Sequence, residues 1–330
     1  MKTLVIKGDS GAALGAELLQ SGEIVAFPTE TVYGLGALYD NVLAVEKIYE
    51  AKGRPKDNPL ILHAYDAEMA EKVAFVDDKA QKLFEAFSPG PLTLILPKRD
   101  NVPMKVTCGL STVGVRIPSH RVARELIRLA GAPVAAPSAN LSGRPSPTSA
   151  KMVYEDMSGK IPLIIDGDDS KTGLESTIFD AKTNTVLRPG AVTKEMLEDC
   201  LGEKIYFAGL AGKDERPKAP GMKYRHYAPR AEVRLMEAGE IVDCISSGAR
   251  SAVGVLASAE VKEKLSGLIP AENVFCYGKT GDLEAIAGNL YKGLAYFDSL
   301  TEVKLIFAQT VEEKGIGVAI MNRLNKAAAK

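Results

Sequence analysis

Phe27-Pro28-Thr29-Glu30-Thr31-Val32-Tyr33-Gly34-Leu35-Gly36 stands between an apolar, β-rich run at Ile24–Phe27 and a helical pattern at Val42–Ala51. In the helical pattern Val42, Val45, Ile48 and Tyr49 recur on one face, with Asp40 or Asn41 placed to cap it. The order strand, polar Gly/Thr loop, helix sets the reading of the rest of the chain. Taken alone, the loop reads equally as a closure around a small polar ligand or as local threonine turns.

Working outward, β-rich runs recur at Leu4–Ile6, Leu60–His63, Leu92–Leu96, Val113–Ile117, Val134–Ala136, Leu163–Ile165 and Thr177–Phe179. Helical patterns lie between them at Ala12–Leu19, Lys79–Phe87, Arg121–Leu129 and Lys194–Leu201. Such mixing predicts an α/β or α+β domain, and the irregular spacing predicts a twisted, mixed sheet. Residues 209–229 change character: Pro217, Pro220 and Pro229 disfavour regular structure, yet Met222, Tyr224, His226 and Tyr227 crowd in. That segment is the predicted linker between a domain at 1–208 and a smaller one at 230–330. In the smaller domain, strands at Val233–Met236, Ala252–Leu256, Asn273–Cys276 and Lys304–Phe307 alternate with helical segments. The pattern is that of a Rossmann-like parallel α/β unit, but no Gly-x-Gly-x-x-Gly turn accompanies it.

Composition narrows the class. The 330 residues are 46% hydrophobic and 25% charged, as expected of a chain with a sizeable core. With 41 basic and 42 acidic residues the net charge is -1, which demands no polyanionic partner. The four cysteines lack Cys-x-x-Cys spacing, which argues against a disulfide framework or zinc site and fits a reducing cytoplasm. No apolar stretch approaches the ~20 residues of a membrane helix. Walker, His-Glu-x-x-His and Gly-x-Ser-x-Gly motifs are missing, and only His63, His120 and His226 supply imidazole.

Two clusters suit phosphate. Lys52-Gly53-Arg54-Pro55-Lys56-Asp57-Asn58-Pro59 presents cations rigidly at a helix end, although cations there also complement the helix dipole. Ser138, Asn140 and Ser146 sit in a Ser/Pro/Gly loop whose donors suit phosphate oxygens, or simply water. Arg116 in an apolar strand needs either a buried ion-pair partner or an anionic ligand. His63, on a strand, reads first as a packed core residue.

Together the motifs resemble the YrdC/Sua5 family. The resemblance rests on Pro-Thr-Glu-Thr-Val-Tyr-Gly-Leu (28–35), Lys-Gly-Arg-Pro-Lys-x-Asn-Pro-Leu (52–60), Ser-Pro-Gly-Pro-Leu-Thr (88–93) and Arg-Ile-Pro-x-His (116–120). Pro-Ser-Ala-Asn-x-Ser-Gly (137–143), Glu-Ser-Thr-Ile (175–178) and Leu-Arg-Pro-Gly (187–190) complete it, and the linker with its α/β unit resembles the longer, two-domain branch. The resemblance implies a YrdC-like catalytic domain that makes L-threonylcarbamoyladenylate and pyrophosphate from L-threonine, bicarbonate or CO2, and ATP. Other proteins would then pass the threonylcarbamoyl group to adenosine 37 of tRNA, without direct tRNA binding being required. It further implies Lys52, Arg54, Ser138 and Asn140 around the ATP phosphates, with Asn58, Thr112, Ser146 and Arg188 as further nucleotide contacts. Thr31, His63, Arg116 and Ser176 match threonine-binding positions. Tyr224, His226 and Tyr227 are expected as a lid, and Mg2+ is expected to arrive on ATP, without a protein metal site. One departure is visible: Asp166-Gly167-Asp168-Asp169 carries acids where the family often has a second glycine. Two other activities fit the same residues: carbamoyl-adenylate formation, and RNA binding on a basic surface formed by Lys52, Arg54, Lys56, Arg116 and Arg144.

Overall fold

The computed structural model describes residues 1–209, 227–248 and 251–329. They form two compact units. One holds Met1–Ser142, Pro147–Lys171 and 175–209; the other holds Gly143–Ser146, Thr172–Leu174, 227–248 and 251–329.

The first unit is built on β1 (Leu4–Lys7), β2 (Val25–Phe27), β3 (Gly34–Leu38), β4 (Ile61–His63), β5 (Leu92–Pro97) and β6 (Thr112–Arg116). It continues with β7 (Val134–Ala136), β8 (Leu163–Asp166), β9 (Thr177–Asp180), β10 (Thr185–Arg188) and β11 (Tyr206–Phe207). Their order across the sheet is β1-β8-β2-β3-β7-β4-β6-β5-β9-β10-β11. Parallel pairs such as β4–β6 and β5–β9 alternate with antiparallel pairs such as β2–β3 and β5–β6, so the sheet is mixed, as expected.

Alternation sends the side chains to two cores. Val25, Phe27, Val134, Ala136, Leu163 and Ile165 pack beneath the helices Gly8–Gln20 and Arg121–Ala130. Ile24, Ala26, Leu35, Leu62 and Leu94 meet the helix Val42–Lys52 on the other side. Asn41 caps that helix by accepting a hydrogen bond from Ala44 N at 3.0 Å, and Gly53 ends it in the left-handed region at φ 59°.

Strand β3 corrects the sequence reading, which left 28–36 as a loop. Gly-Leu-Gly-Ala-Leu has weak strand propensity, but tertiary packing requires those glycines. A Cβ on Gly36 would stand 2.5 Å from Val134 Cγ1 and 2.9 Å from the Phe27 ring. The short helices Ala67–Glu71, Met104–Thr107 and Ala150–Met157 were also absent from the pattern, two of them being too short to show a helical period.

The second unit carries a four-stranded, fully parallel sheet: β12 (Glu232–Met236), β13 (Val253–Ala257), β14 (Val274–Cys276) and β15 (Leu305–Gln309), in the order β12-β15-β13-β14. Its helices Ala238–Ser246, Ala259–Lys264, Leu283–Tyr296 and Gly317–Ala328 follow the expected alternation. Among the described residues no helix is long and apolar enough to cross a membrane.

Gly36→Ala will test the β3 packing. Overfilling this contact is expected to cost about 1–3 kcal/mol in a urea unfolding measurement; an unchanged midpoint would remove the steric account of that glycine.

Candidate functional site

Three neighbouring strands supply the centre of the site. The register pairs His63 of β4 with Arg116 of β6, and Arg116 in turn with Thr93 of β5. Directly paired residues share a face, so the three side chains stand in a row. Arg116, only 4% exposed, donates from Nη1 to Thr31 Oγ1 at 2.8 Å and from Nη2 to Glu30 Oε1 at 2.7 Å. Its Nε reaches Gly90 O at 3.4 Å. These contacts use three of the five guanidinium N–H groups and leave two for an anion. Glu30 also accepts from Ser119 N at 3.2 Å, which fixes its carboxylate.

At the other end of the row, Thr93 Oγ1 and Ser176 Oγ are 2.7 Å apart. Arg188 then clamps Ser176, donating from Nε to its carbonyl and from Nη2 to its hydroxyl, both at 3.1 Å. The predicted set Thr31, His63, Arg116 and Ser176 is thereby brought together through Thr93. Arg188, expected at the nucleotide, also braces this set. Glu30 and Thr93 were missed as site residues although both lie inside the quoted motifs. A buried arginine needs either an ion-pair partner or an anionic ligand, and only the fold brings Glu30 to Arg116.

His63 is the neutral member. Burial, and next the Arg116 charge, push its pKa down to about 3, while its Nδ1 has no hydrogen-bond partner and its ring meets Phe27 edge-on. An orphaned buried imidazole nitrogen beside an arginine with unused donors is a polar socket.

Lys52 and the Ser138 loop form a second cluster. The Lys52 ammonium donates to Ser138 O and Asn140 O, both at 2.5 Å, and faces Asn140 Oδ1 at 3.5 Å. Ser138 Oγ donates to Asn140 Oδ1 at 2.5 Å, and Asn140 Nδ2 donates to Leu141 O at 2.8 Å. Burial, with Arg54 adding to it and Asp156 opposing, holds the Lys52 pKa well below its ordinary value. The lysine thus props the loop from behind. Arg54 folds back likewise, from Nε to Asn58 O at 3.2 Å and from Nη2 to Pro59 O at 2.9 Å. Asn58 Oδ1 is buried without a partner.

Thr112 opens β6, four residues from Arg116, so roughly 13 Å along the strand. Ser146 belongs to the second unit. Among the acids after β8, Asp168 itself adopts φ 68°, the conformation a glycine favours, helped by an Asx-type bond from its N–H to Asp166 Oδ1 at 3.3 Å. Gly167 is held between Pro28 and His120, and Tyr33 Oη donates to Asp168 O at 2.8 Å. Of the expected lid, Tyr224 and His226 lie outside the described residues. Tyr227 packs within the second unit, 5.2 Å from Tyr291 and with the Arg323 guanidinium 5.8 Å from its ring. The basic-surface reading also fails for its main cations, because Lys52, Arg54 and Arg116 are at most 9% exposed.

Replacing Arg116 with Met should strand Glu30, whose side chain is 12% exposed, and cost about 3–5 kcal/mol. Adding Glu30→Gln should return more than half of that loss in denaturant unfolding; no recovery would show that the pair is not the origin of the cost. His63 gives a pH prediction. The unfolded chain protonates this residue below about pH 6.5, whereas the folded chain resists until about pH 3. Its contribution is full above 6.5 and is lost as the pH falls toward 3. The stability advantage of the parent over His63→Asn should therefore shrink by up to ~1.4 kcal/mol per pH unit on acidification. A pH-independent difference would contradict a buried neutral imidazole.

Comparison with known proteins identifies the family. A family model described as "Telomere recombination" (the Sua5, YciO and YrdC group) matches residues 17–190, and one for the threonylcarbamoyl-AMP synthase C-terminal domain matches 192–329. The chain is 46% identical to a threonylcarbamoyl-AMP synthase of Bacillus subtilis, over 97% of this chain and 93% of the relative. It is 47% identical to one from Pyrococcus abyssi, over 95% and 93%. The crystal structure of Pyrococcus abyssi Sua5 complexed with L-threonine superposes with a TM-score of 0.88 at 43% identity, covering 99% of this chain and 98% of that one. Matched by both models in order, and nearly half identical to such relatives along almost its full length, the chain belongs to the YrdC/Sua5 family of threonylcarbamoyl-AMP synthases.

Proposed function

We infer that this protein is a threonylcarbamoyl-AMP synthase, forming L-threonylcarbamoyladenylate and pyrophosphate from L-threonine, bicarbonate or CO2, and Mg2+-bound ATP. The observation that carries the reading is the row His63–Arg116–Thr93, closed by Thr31 at one end and Ser176 at the other. The two unused Arg116 donors suit the threonine carboxylate. The hydroxyl pair Thr93–Ser176 and the unpartnered His63 nitrogen offer polar contacts to the threonine hydroxyl and amine.

The chemistry asks little of protein bases. Threonine's amine captures CO2 and loses a proton, giving a carbamate. A carbamate oxygen then attacks the α-phosphorus, and the bond to pyrophosphate breaks. Catalysis of such a step is alignment plus neutralisation of crowded negative charge. Ser138, Asn140 and Arg54 are suited to that work at the triphosphate, with Lys52 holding the Ser138–Asn140 backbone in place. Mg2+ comes with ATP as part of the substrate. Preference for threonine over serine rests on a methyl contact worth about 1–3 kcal/mol, hence roughly a 10–200-fold difference in kcat/KM.

Two further parts of the reading concern the setting. The product is consumed by tRNA threonylcarbamoyl transferase proteins. The site of action is the cytoplasm, a reading supported by four free cysteines.

Purified protein with Mg2+-ATP and bicarbonate should release pyrophosphate only when threonine is present, with the adenylate visible by mass spectrometry. Absence of a threonine-dependent adenylate would overturn the assignment.

A further inference from the structure

The helix Ala150–Met157 turns Val153, Asp156 and Met157 inward together, as spacings of three and four residues on a helix require. Val153 and Met157 are fully buried in a core of the first unit that also takes Ala139, and Leu141 packs against it. Asp156, only 8% exposed, interrupts that apolar face, and a carboxylate so placed needs polar partners. One partner is a main-chain group of the site: Leu141 N donates to Asp156 Oδ2 at 2.9 Å. Ser149 caps the helix, accepting from Met152 N at 3.3 Å, so the carboxylate is presented from a fixed base.

The Leu141 N–H belongs to the same peptide unit as the Asn140 carbonyl, and that carbonyl accepts from the Lys52 ammonium. In a trans peptide the two groups point to opposite sides. One peptide is therefore gripped across its width, with the cation at its oxygen and the anion at its N–H, the arrangement its dipole favours. Neighbouring ties complete the turn. Lys52 Nζ also donates to Ser138 O, Ser142 N donates to Lys52 O at 2.9 Å, and Asn140 Nδ2 donates to Leu141 O at 2.8 Å. Against burial and the Arg54 charge, which push the Lys52 pKa down, Asp156 favours the ammonium form. All of these residues lie in the first unit.

We propose that Asp156 is a positioning residue for the nucleotide turn at Ser138–Leu141. By holding the Leu141 N–H it stops the Asn140–Leu141 peptide from rotating. The Asn140 carbonyl then stays on Lys52, and the Ser138 and Asn140 side chains keep one orientation toward the triphosphate. The proposal rests on reading Ser138 and Asn140 as nucleotide contacts. It gives a part in ATP binding to a residue 15 positions beyond Leu141, outside the motif that carries those contacts.

The test compares Asp156→Ala, Asp156→Leu and Asp156→Asn in the full chain. Asp156→Ala removes the acceptor; Asp156→Leu does so while keeping a branched shape that suits the apolar face, and carries the same expectation if Asp156→Ala does not fold. Each should raise the KM for ATP about tenfold or more, with the KM for threonine within about twofold. Asp156→Asn, which can still accept from Leu141 N, should stay within about threefold of the parent in ATP KM. Binding of a non-hydrolysable ATP analogue, measured by calorimetry, should weaken in the same order. Unchanged ATP KM and analogue binding in folded Asp156→Ala or Asp156→Leu would overturn the proposal. So would equal losses for ATP and threonine, or an ATP KM for Asp156→Asn raised about tenfold. The calorimetric arm separates the two readings. A parent chain that binds the analogue but forms no adenylate refutes the proposed activity, while weaker binding by Asp156→Ala and Asp156→Leu would still support Asp156.

Discussion

Four cations, Lys52, Arg54, Arg116 and Arg188, are almost completely removed from water in the first unit, and each must be surrounded by oxygen. How that requirement is met shapes the site. Arg116 takes a carboxylate, a hydroxyl and a carbonyl; Lys52 takes two carbonyls and an amide oxygen; Arg188 takes both oxygens of Ser176. Each cation thereby draws a separate stretch of chain to itself. The loops around the site owe their conformations to these ties more than to their own turn propensities.

The same arrangement separates holding from reacting. Lys52 directs its donors to the Ser138–Asn140 backbone, and Arg54 directs two of its donors to Asn58 and Pro59. Their charge still lies in a low-dielectric surrounding, where it acts on a nearby polyanion more strongly than a hydrated cation would. Arg116 differs in keeping two N–H groups unspent beside a neutral histidine. A site of this kind suits a reaction whose nucleophile is already an anion.

Reading of the candidate site divides along similar lines. The chain supplied the motif residues and their order, so Thr31, His63, Arg116 and Ser176 were legible as a set. Glu30 and Thr93 were not, although Glu30 stood beside Thr31 and Thr93 closed a quoted motif. Their roles depend on which strands become neighbours, and the pairing β4–β6–β5 joins segments about twenty to fifty residues apart. The ties from Arg188 to Ser176 were likewise not legible, because a motif gives a residue's kind and position but no direction for its side chain.

Local chemistry in the sequence determined the helix Val42–Lys52 with its Asn41 cap, the apolar strands of both units and the parallel α/β character of the second. Those features depend on periodicity and on contacts within a few residues, which the chain carries openly. Only the tertiary structure decided that Gly34–Leu38 is a strand, that Asp168 takes a left-handed conformation, and that Arg144 finds Asp298 154 positions away. The reason is physical. A glycine-rich strand is stabilised by the ring and methyl groups packed over it, and a buried charge by a partner that distant chain segments must deliver.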